Sequence, residues 1–367
     1  MAKNSITEFG KTDQGADVNR ILFAGGGTAG HIEPAWASSE KWRAKNPGDE
    51  IAFLGTKNGL EVTLIPERGG KLFLIPKVTA PRKLNLSTLL FPFKFLNAIS
   101  KTISIVKSFD VVVGFGGYVS GSAYIAAVIL RKPIVIHEQN AKVGLANKLG
   151  SIFTDEIAVA YPVAAKELRS ARIVGNPLRD QIVKAAQEAE LDWARARANA
   201  KKKLGIEGKF ILILGGSSGS QAINKVISEM HFDNCTVLHS IGKENVLPEP
   251  SANYRPVAYI EDMASALLAA DLVISRSGAI ATSEFAALGK YALFVPLPIG
   301  NGEQALNADE LVKSHRAEII EQSYFTADWL RKNLDRLINN SNKVSESALG
   351  TSLNAADQIA ECIGRVI

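Results

Sequence analysis

The sequence predicts an α/β protein made of two doubly wound domains with parallel sheets. Three observations lead there. Short apolar runs alternate with longer amphipathic stretches, as strands do when helices cover both faces of a sheet. The pattern restarts midway: an apolar run and "GGGTAG" open the first half, and "KFILILGGSSGSQAIN" opens the second. At 367 residues the chain is also too long for one ordinary core.

In order, the expected strands are Arg20–Ala24, Glu50–Leu54, Lys71–Ile75, Val111–Gly114, Ile134–His137 and Glu156–Ala160. They resume at Phe210–Leu214, Thr236–Ser240, Arg255–Tyr259, Leu272–Ser275 and Tyr291–Val295. Residues 1–18 are polar, lack the apolar centre of a signal peptide and are expected to form a flexible extension. A domain of residues 19–176 should end near "GNPLR", Gly175–Arg179, where Asn-Pro breaks any element. A second domain should span 177–348. The basic run Leu191–Lys203 reads as a solvated helix face. Residues 349–367 should pack back as helix, with Leu349, Leu353, Ile359 and Ile363 inward.

Composition is that of a globular protein, 46% hydrophobic and 22% charged. The net charge of +5 and a pI near 9.0 favour an anionic partner. Nucleic acid is not expected, because no basic tract is interleaved with aromatics. Two cysteines make neither a disulfide framework nor a zinc site, which suits a reducing cytoplasm. No run of about 18 apolar residues exists to span a bilayer.

A glycine loop between strand and helix offers bare N–H groups to an anion, or simply lets helix pack on strand. Gly25–Gly30 and Gly215–Ser220 both qualify. The first is a literal G-x-G-x-x-G, but "EIAFLG" ends without the acid that NAD binding needs for the ribose. His31 follows this loop at a helix start, where the dipole favours neutral imidazole and hence a base. Glu33 is nearby, and serves equally as an ordinary helix acid. A second cluster, "VVVGFGGYVSG", sets Gly114, Gly116, Gly117 and Tyr118 at the carboxyl edge of a strand. A third runs from a buried-looking strand into His137, Glu138, Gln139 and Asn140, poorly explained by packing. In the second half "RSGAIATSEFAALGK" places Glu284 near a helix start, able to take vicinal hydroxyls. Glu303, Gln304 and Asn307 follow a Pro- and Gly-rich turn and suit sugar hydroxyls.

Together "GGGTAGHIEPA", "GFGGYVSG", "HEQNAKVGLANK", "GNPLR", "LGGSSGSQAIN", "YIEDM" and "SRSGAIATSEFAALGK" resemble one family over about residues 19–365. It is glycosyltransferase family 28, the bacterial N-acetylglucosaminyltransferases of peptidoglycan synthesis. The resemblance implies a GT-B fold, two Rossmann-like domains facing across a cleft. It implies transfer of GlcNAc, with inversion, from UDP-GlcNAc to the C4 hydroxyl of MurNAc in undecaprenyl-pyrophosphoryl-MurNAc-pentapeptide (lipid I), giving lipid II. Gly216, Ser217, Ser218, Gly219 and Arg179 would hold the donor diphosphate. Ile260, Ala279, Ile280 and Glu284 would surround uridine, with Glu284 on the ribose. Glu303 and Gln304 would meet the GlcNAc, with Asn140, Thr28, Ala29 and Gly30 also on the donor. Gly26, Gly27, His31, Gly116, Gly117 and Tyr118 would form the acceptor side. Two departures stand out: the family commonly has threonine at Ala281, and glutamine or histidine at Glu303.

The implied reaction needs a base for the C4 proton; His31 is the first candidate and Glu138 the second. No DxD motif is present, so neither a metal nor another cofactor is expected. The segment Lys77–Lys107 carries basic residues and no acid. Its Lys83, Leu90, Phe91, Phe93 and Lys94 either belong partly to a core or dock on anionic lipid of the cytoplasmic leaflet. Given the lipid acceptor, peripheral attachment to the cytoplasmic face of the plasma membrane is expected. The alternative function is another GT-B nucleotide-sugar transferase with a different lipid or small-molecule acceptor.

Overall fold

The computed structural model describes residues 18–78, 86–216, 218–298, 302–344, 347–348 and 352–367, with side-chain surroundings for all of these except 86–92 and 94. Two parallel sheets form. The first contains β1 (Arg20–Ala24), β2 (Glu50–Thr56), β3 (Lys71–Ile75), β4 (Val111–Gly114), β5 (Ile134–Glu138), β6 (Ile157–Val159) and β7 (Ala171–Ile173). Their spatial order is β3-β2-β1-β4-β5-β6-β7. The second contains β8 (Phe210–Leu214), β9 (Thr236–Ser240), β10 (Tyr254–Val257), β11 (Leu272–Ser275), β12 (Ala292–Phe294) and β13 (Ala317–Ile319), ordered β10-β9-β8-β11-β12-β13.

The central strands are unbroken apolar runs because both faces are covered. Alternate residues of β1 serve opposite faces: Leu22 and Ala24 join one core, Ile21 and Phe23 the other. In β8, Phe210 and Leu212 face one core while Ile211 and Ile213 face the other. The strand order reverses between β1 and β4 and again between β8 and β11. Loops leaving such neighbours diverge to opposite faces and open a crevice, the place where folds of this kind bind ligands.

The edges differ from the sequence expectation. The strands β7 and β13 have three residues each and lack an apolar run; backbone pairing to a neighbour defines them. Pro256 is tolerated in β10 because that strand lies at a sheet edge. The basic run forms the helix Trp193–Lys203, capped by Asp192, but it is not wholly solvated. Arg197 and Lys201 both reach Asp271, with Lys201 Nζ at 2.9 Å.

The helix Ala355–Gly364 packs on the helix Ala29–Lys45, and Ile359 and Ile363 are buried in the first domain's core. Leu353 packs against the second domain's core, and Leu349 lies outside the described residues. The two domains also touch directly. Ala141, Tyr161 and Ala279 form an apolar contact. Tyr161 Oη lies 2.8 Å from Thr282 Oγ1, and Ala141 N donates to Asn307 Oδ1 at 2.8 Å.

Candidate active site

The strand β1 delivers a glycine loop and then the helix Ala29–Lys45, so His31 stands in the first helical turn. Its Nδ1 lies 3.2 Å from Thr28 Oγ1. The opposite edge faces the loop after β4: a methyl group on Gly116 or Gly117 would lie 3.7 Å from Nε2. Both glycines have positive φ, 82° and 76°, which lets this loop turn close to the ring. Burial lowers the pKa of His31, against the pull of the Gly26 carbonyl and the Glu61 carboxylate. The result is a neutral imidazole between two loops at the point where the strand order reverses, able to accept a proton.

The first glycine loop is filled from within. Glu61, the first residue of the helix Glu61–Glu67, is 1% exposed. Its Oε2 accepts from Gly27 N at 2.8 Å, and its Oε1 from Thr56 N at 2.7 Å and Thr56 Oγ1 at 3.1 Å. The expectation that this loop offers all its N–H groups to a substrate anion is thereby revised, since the Gly27 donor is engaged by a carboxylate of the chain. The sequence signal was available in "GTKNGLE": Gly55 and Gly59 leave space that one long side chain fills. What hid Glu61 is its position beyond the end of β2, where the acid was sought.

The four polar residues ending β5 divide their tasks. His137 Nε2 donates to the Gly175 carbonyl at 3.0 Å, and burial lowers its pKa to about 4. Glu138 turns both oxygens to its own loop, accepting from Asn140 N, Gly144 N and Asn147 Nδ2, each at 2.9 Å. It is 2% exposed, and burial raises its pKa against those hydrogen bonds. That geometry suits a loop organiser, not the open base that the sequence offered as second candidate. Gln139 is buried. Asn140 is half-buried, and its Oδ1 accepts from Asn307 Nδ2 at 3.3 Å. Asn307 thus joins the domains, where the sequence had given it to sugar hydroxyls. Tyr118 packs against the first domain's core, and its hydroxyl oxygen is buried without a partner.

In the second domain the loop after β8 is open. Gly216 and Ser218 are exposed, and Ser217 lies outside the described residues. Gly219, with φ of 75°, approaches the backbone so closely that a Cβ would meet Ile241 O at 1.9 Å. Ser220 caps the helix Gln221–Ser228. In the same domain Arg179 Nε and Nη2 donate to the two oxygens of Glu284 at 2.8 and 2.9 Å. Burial raises the pKa of Glu284 while Arg179 opposes it. Burial also works against the charge of Arg179, but Glu284 prevails and holds it above its ordinary value. These two residues, given separately to diphosphate and ribose, are paired with one another.

Ile260 and Ala279 are buried, and Ile280 is half-buried. Ala279 packs against the first domain, and its carbonyl accepts from Asn176 Nδ2 at 3.3 Å. Thr282 hydroxyl contacts Tyr161, which ties the residue beside the Ala281 departure to the domain contact. Glu303 opens the helix Glu303–Asn307, and Gln304 Oε1 accepts from Leu297 N at 2.9 Å. Of the membrane candidates, Lys83 lies outside the described residues, as do the side chains of Leu90, Phe91 and Lys94. Phe93 is 71% exposed.

Comparison with known proteins places this geometry. Residues 21–159 match the glycosyltransferase family 28 N-terminal domain, and residues 210–363 match the family 28 C-terminal domain. The UDP-N-acetylglucosamine–N-acetylmuramyl-(pentapeptide) pyrophosphoryl-undecaprenol N-acetylglucosamine transferase of Corynebacterium diphtheriae is 41% identical, covering 95% of this chain and 97% of the relative. The enzyme of the same name from Streptomyces coelicolor is 41% identical over 86% of this chain and 88% of its own. A crystal structure of Acinetobacter baumannii MurG superposes with a TM-score of 0.71 at 28% identity, covering 95% of this chain and 99% of that one. The UDP-GlcNAc 2-epimerase of Neisseria meningitidis, 14% identical, shares the fold with a TM-score of 0.60, covering 95% of this chain and 100% of that one.

Proposed function

The chain belongs to glycosyltransferase family 28, and from that premise we propose that it transfers GlcNAc from UDP-GlcNAc to the C4 hydroxyl of MurNAc in lipid I. The product is lipid II of peptidoglycan synthesis, linked β-1,4 with inversion. The observation that carries the reading is the neutral imidazole of His31, held between the loops after β1 and β4 at the point where the strand order reverses.

Residues 19–176, with the helix Ala355–Gly364 packed back on them, form the acceptor half, and 177–348 form the donor half. The acceptor C4 oxygen attacks the anomeric carbon as His31 takes its proton. The bond from that carbon to the diphosphate breaks, and UDP leaves with the electron pair. The exposed backbone at Gly216 meets the charge that develops on the leaving diphosphate. Arg179 stabilises the same charge once the donor draws it from Glu284, and Glu284 then receives the ribose hydroxyls. Glu138 and Asn147 hold the loop that carries Asn140 to the sugar.

No described helix is long and apolar enough to cross a membrane. The helix Leu86–Val106 exposes Phe93 and Leu96, and the helix packed beside it exposes Ile129. Leu145, Ile152 and Phe153 are exposed in the next segment of the chain. These side chains form an apolar surface that docks on anionic lipid at the cytoplasmic face of the membrane, where the acceptor's polyprenyl tail lies. The test is an assay of UDP release with purified protein, UDP-GlcNAc and a short-chain lipid I analogue. Transfer to a different lipid and none to lipid I overturns the acceptor assignment. UDP-glucose and UDP-GalNAc as competing donors measure how Glu303 alters sugar choice.

A further inference from the structure

The first glycine loop has the sequence of an anion site and already contains an anion. Glu61 enters it from the start of the helix that follows β2. Three donors converge on its two oxygens: the backbone N–H groups of Gly27 and Thr56 and the Thr56 hydroxyl. Three glycines make the room. A Cβ on Gly26 would lie 2.5 Å from Glu61 Oε1, one on Gly55 would lie 2.4 Å from its Cγ, and one on Gly59 would lie 2.0 Å from Oε2. A carboxylate 1% exposed and answered by three donors is held in one place, walled off from any substrate. Through Gly27 N it is bonded to the segment that carries Thr28 and His31.

We propose that Glu61 is a positioning residue for the transfer reaction: it locks the loop that presents His31 and supplies the negative charge against which His31 takes its proton. The inference rests on the reading of His31 as the base. Its physical content is that of any buried carboxylate behind a catalytic imidazole, which favours the protonated ring as it forms. Here the carboxylate acts through the loop and through space. The same placement engages the Gly27 N–H, so an acceptor phosphate finds its donors elsewhere on this side of the cleft. Charged groups on the neighbouring elements are Glu33, which pairs with Arg68 and also interacts with Arg179 and Glu284, and Glu138, held by Asn147, whose amide lies beside Gly116. They remain unchanged in the variants below.

The test uses the full chain and two variants. Glu61→Gln removes the charge and keeps the side chain's length. Gly59→Ala leaves Glu61 in place chemically but drives its carboxylate off the loop, and it touches neither His31 nor the glycine loop. Two quantities are measured in each: the His31 imidazole titration by NMR, and the pH profile of kcat/KM with UDP-GlcNAc and a short-chain acceptor. In both variants the His31 midpoint and the acid limb of the profile should move to lower pH, by about one unit in Glu61→Gln. The plateau kcat should fall about tenfold, with KM for UDP-GlcNAc within about twofold. A folded Glu61→Gln protein whose His31 midpoint does not move overturns the inference, as does an equal loss of activity at every pH. If Glu61→Gln does not fold, an unmoved midpoint in Gly59→Ala overturns it as well. A midpoint that moves while the acid limb stays supports the role of Glu61 and counts against His31 as the base.

Discussion

Between Gly25 and Gly30 the first glycine loop binds a carboxylate of the protein through Gly27 N, whereas between Gly215 and Ser220 the second exposes Gly216 and Ser218 with no carboxylate bonded to it among the described residues. Both follow the first strand of a parallel sheet at the point where the strand order reverses, and both precede a helix. They are fastened differently. A side chain, Glu61, ties the first loop down. Close backbone approach and the Asn245 amide, which donates to Ser218 O at 3.2 Å, tie the second; there a Cβ on Gly242 would meet Ser218 O at 2.4 Å and one on Gly219 would meet Ile241 O at 1.9 Å. The consequence is electrostatic. A loop held by its own carboxylate is suited to moving a proton beside His31, and a loop fastened through its carbonyls leaves exposed backbone at Gly216 and Ser218 that suits a diphosphate. Similar local sequence therefore carries opposite charge preferences, according to what reaches it from elsewhere in the chain.

The comparison breaks first at His31. Its replacement by alanine should lower kcat about a thousandfold and leave UDP-GlcNAc affinity within about twofold, by steady-state kinetics and calorimetry. A large loss of donor affinity would mean that the first loop also holds the nucleotide.

Stability against pH sharpens the contrast between ordinary buried histidines and His31. His137 in β5 and His239 in β9 are both fully buried, and burial lowers each pKa to about 4. In the unfolded chain each titrates near its ordinary value, so each stabilises the fold fully above about pH 6.5. That contribution is lost as the pH falls from there towards 4, up to about 3 kcal/mol for each residue. Urea unfolding at pH 7.5 and 4.5 measures it. His239→Asn should shrink the difference, and an unchanged difference would remove His239 from the account.

In the second loop Gly219→Ala forces a Cβ into Ile241 O at a φ of 75°. Donor affinity should weaken about thirtyfold while the His31 titration stays in place. Affinity unchanged by that substitution would separate this loop from the nucleotide. The smallest effect lies at the surface. Phe93→Ser with Leu96→Ser should reduce binding to anionic vesicles about tenfold and leave activity on a water-soluble acceptor unaltered. Vesicle binding that ignores both substitutions would move the docking surface elsewhere.

Much of this architecture was legible from periodicity. The spans of β1, β3, β4, β8, β9 and β11 agree residue for residue with the apolar runs that announced them, because a strand covered on both faces must be apolar throughout. The edge strands β7 and β13 carry no such run and were invisible. At the site, local order placed His31 at a helix start and Gly116 and Gly117 at a strand end, since both follow from strand–turn–helix grammar. Partnerships were another matter. Glu138 looked available until its loop folded back onto both oxygens. Arg179 and Glu284 are 105 positions apart and form one pair. Asn307 reaches Ala141 across 166 positions, and nothing local to "GEQALNADEL" marks it as a contact between domains.

The chain's own order thus determined the strands, the glycine turns and the helix start that carries the imidazole, each a matter of neighbouring residues. Only the tertiary structure decided which loop stayed open and which closed on Glu61. That choice depends on a carboxylate brought from 34 positions away to Gly27, and on the absence of side chains at Gly26, Gly55 and Gly59, which makes room for it. Charge acts through space and burial strengthens it, so the character of a polar site follows from what folding gathers around it.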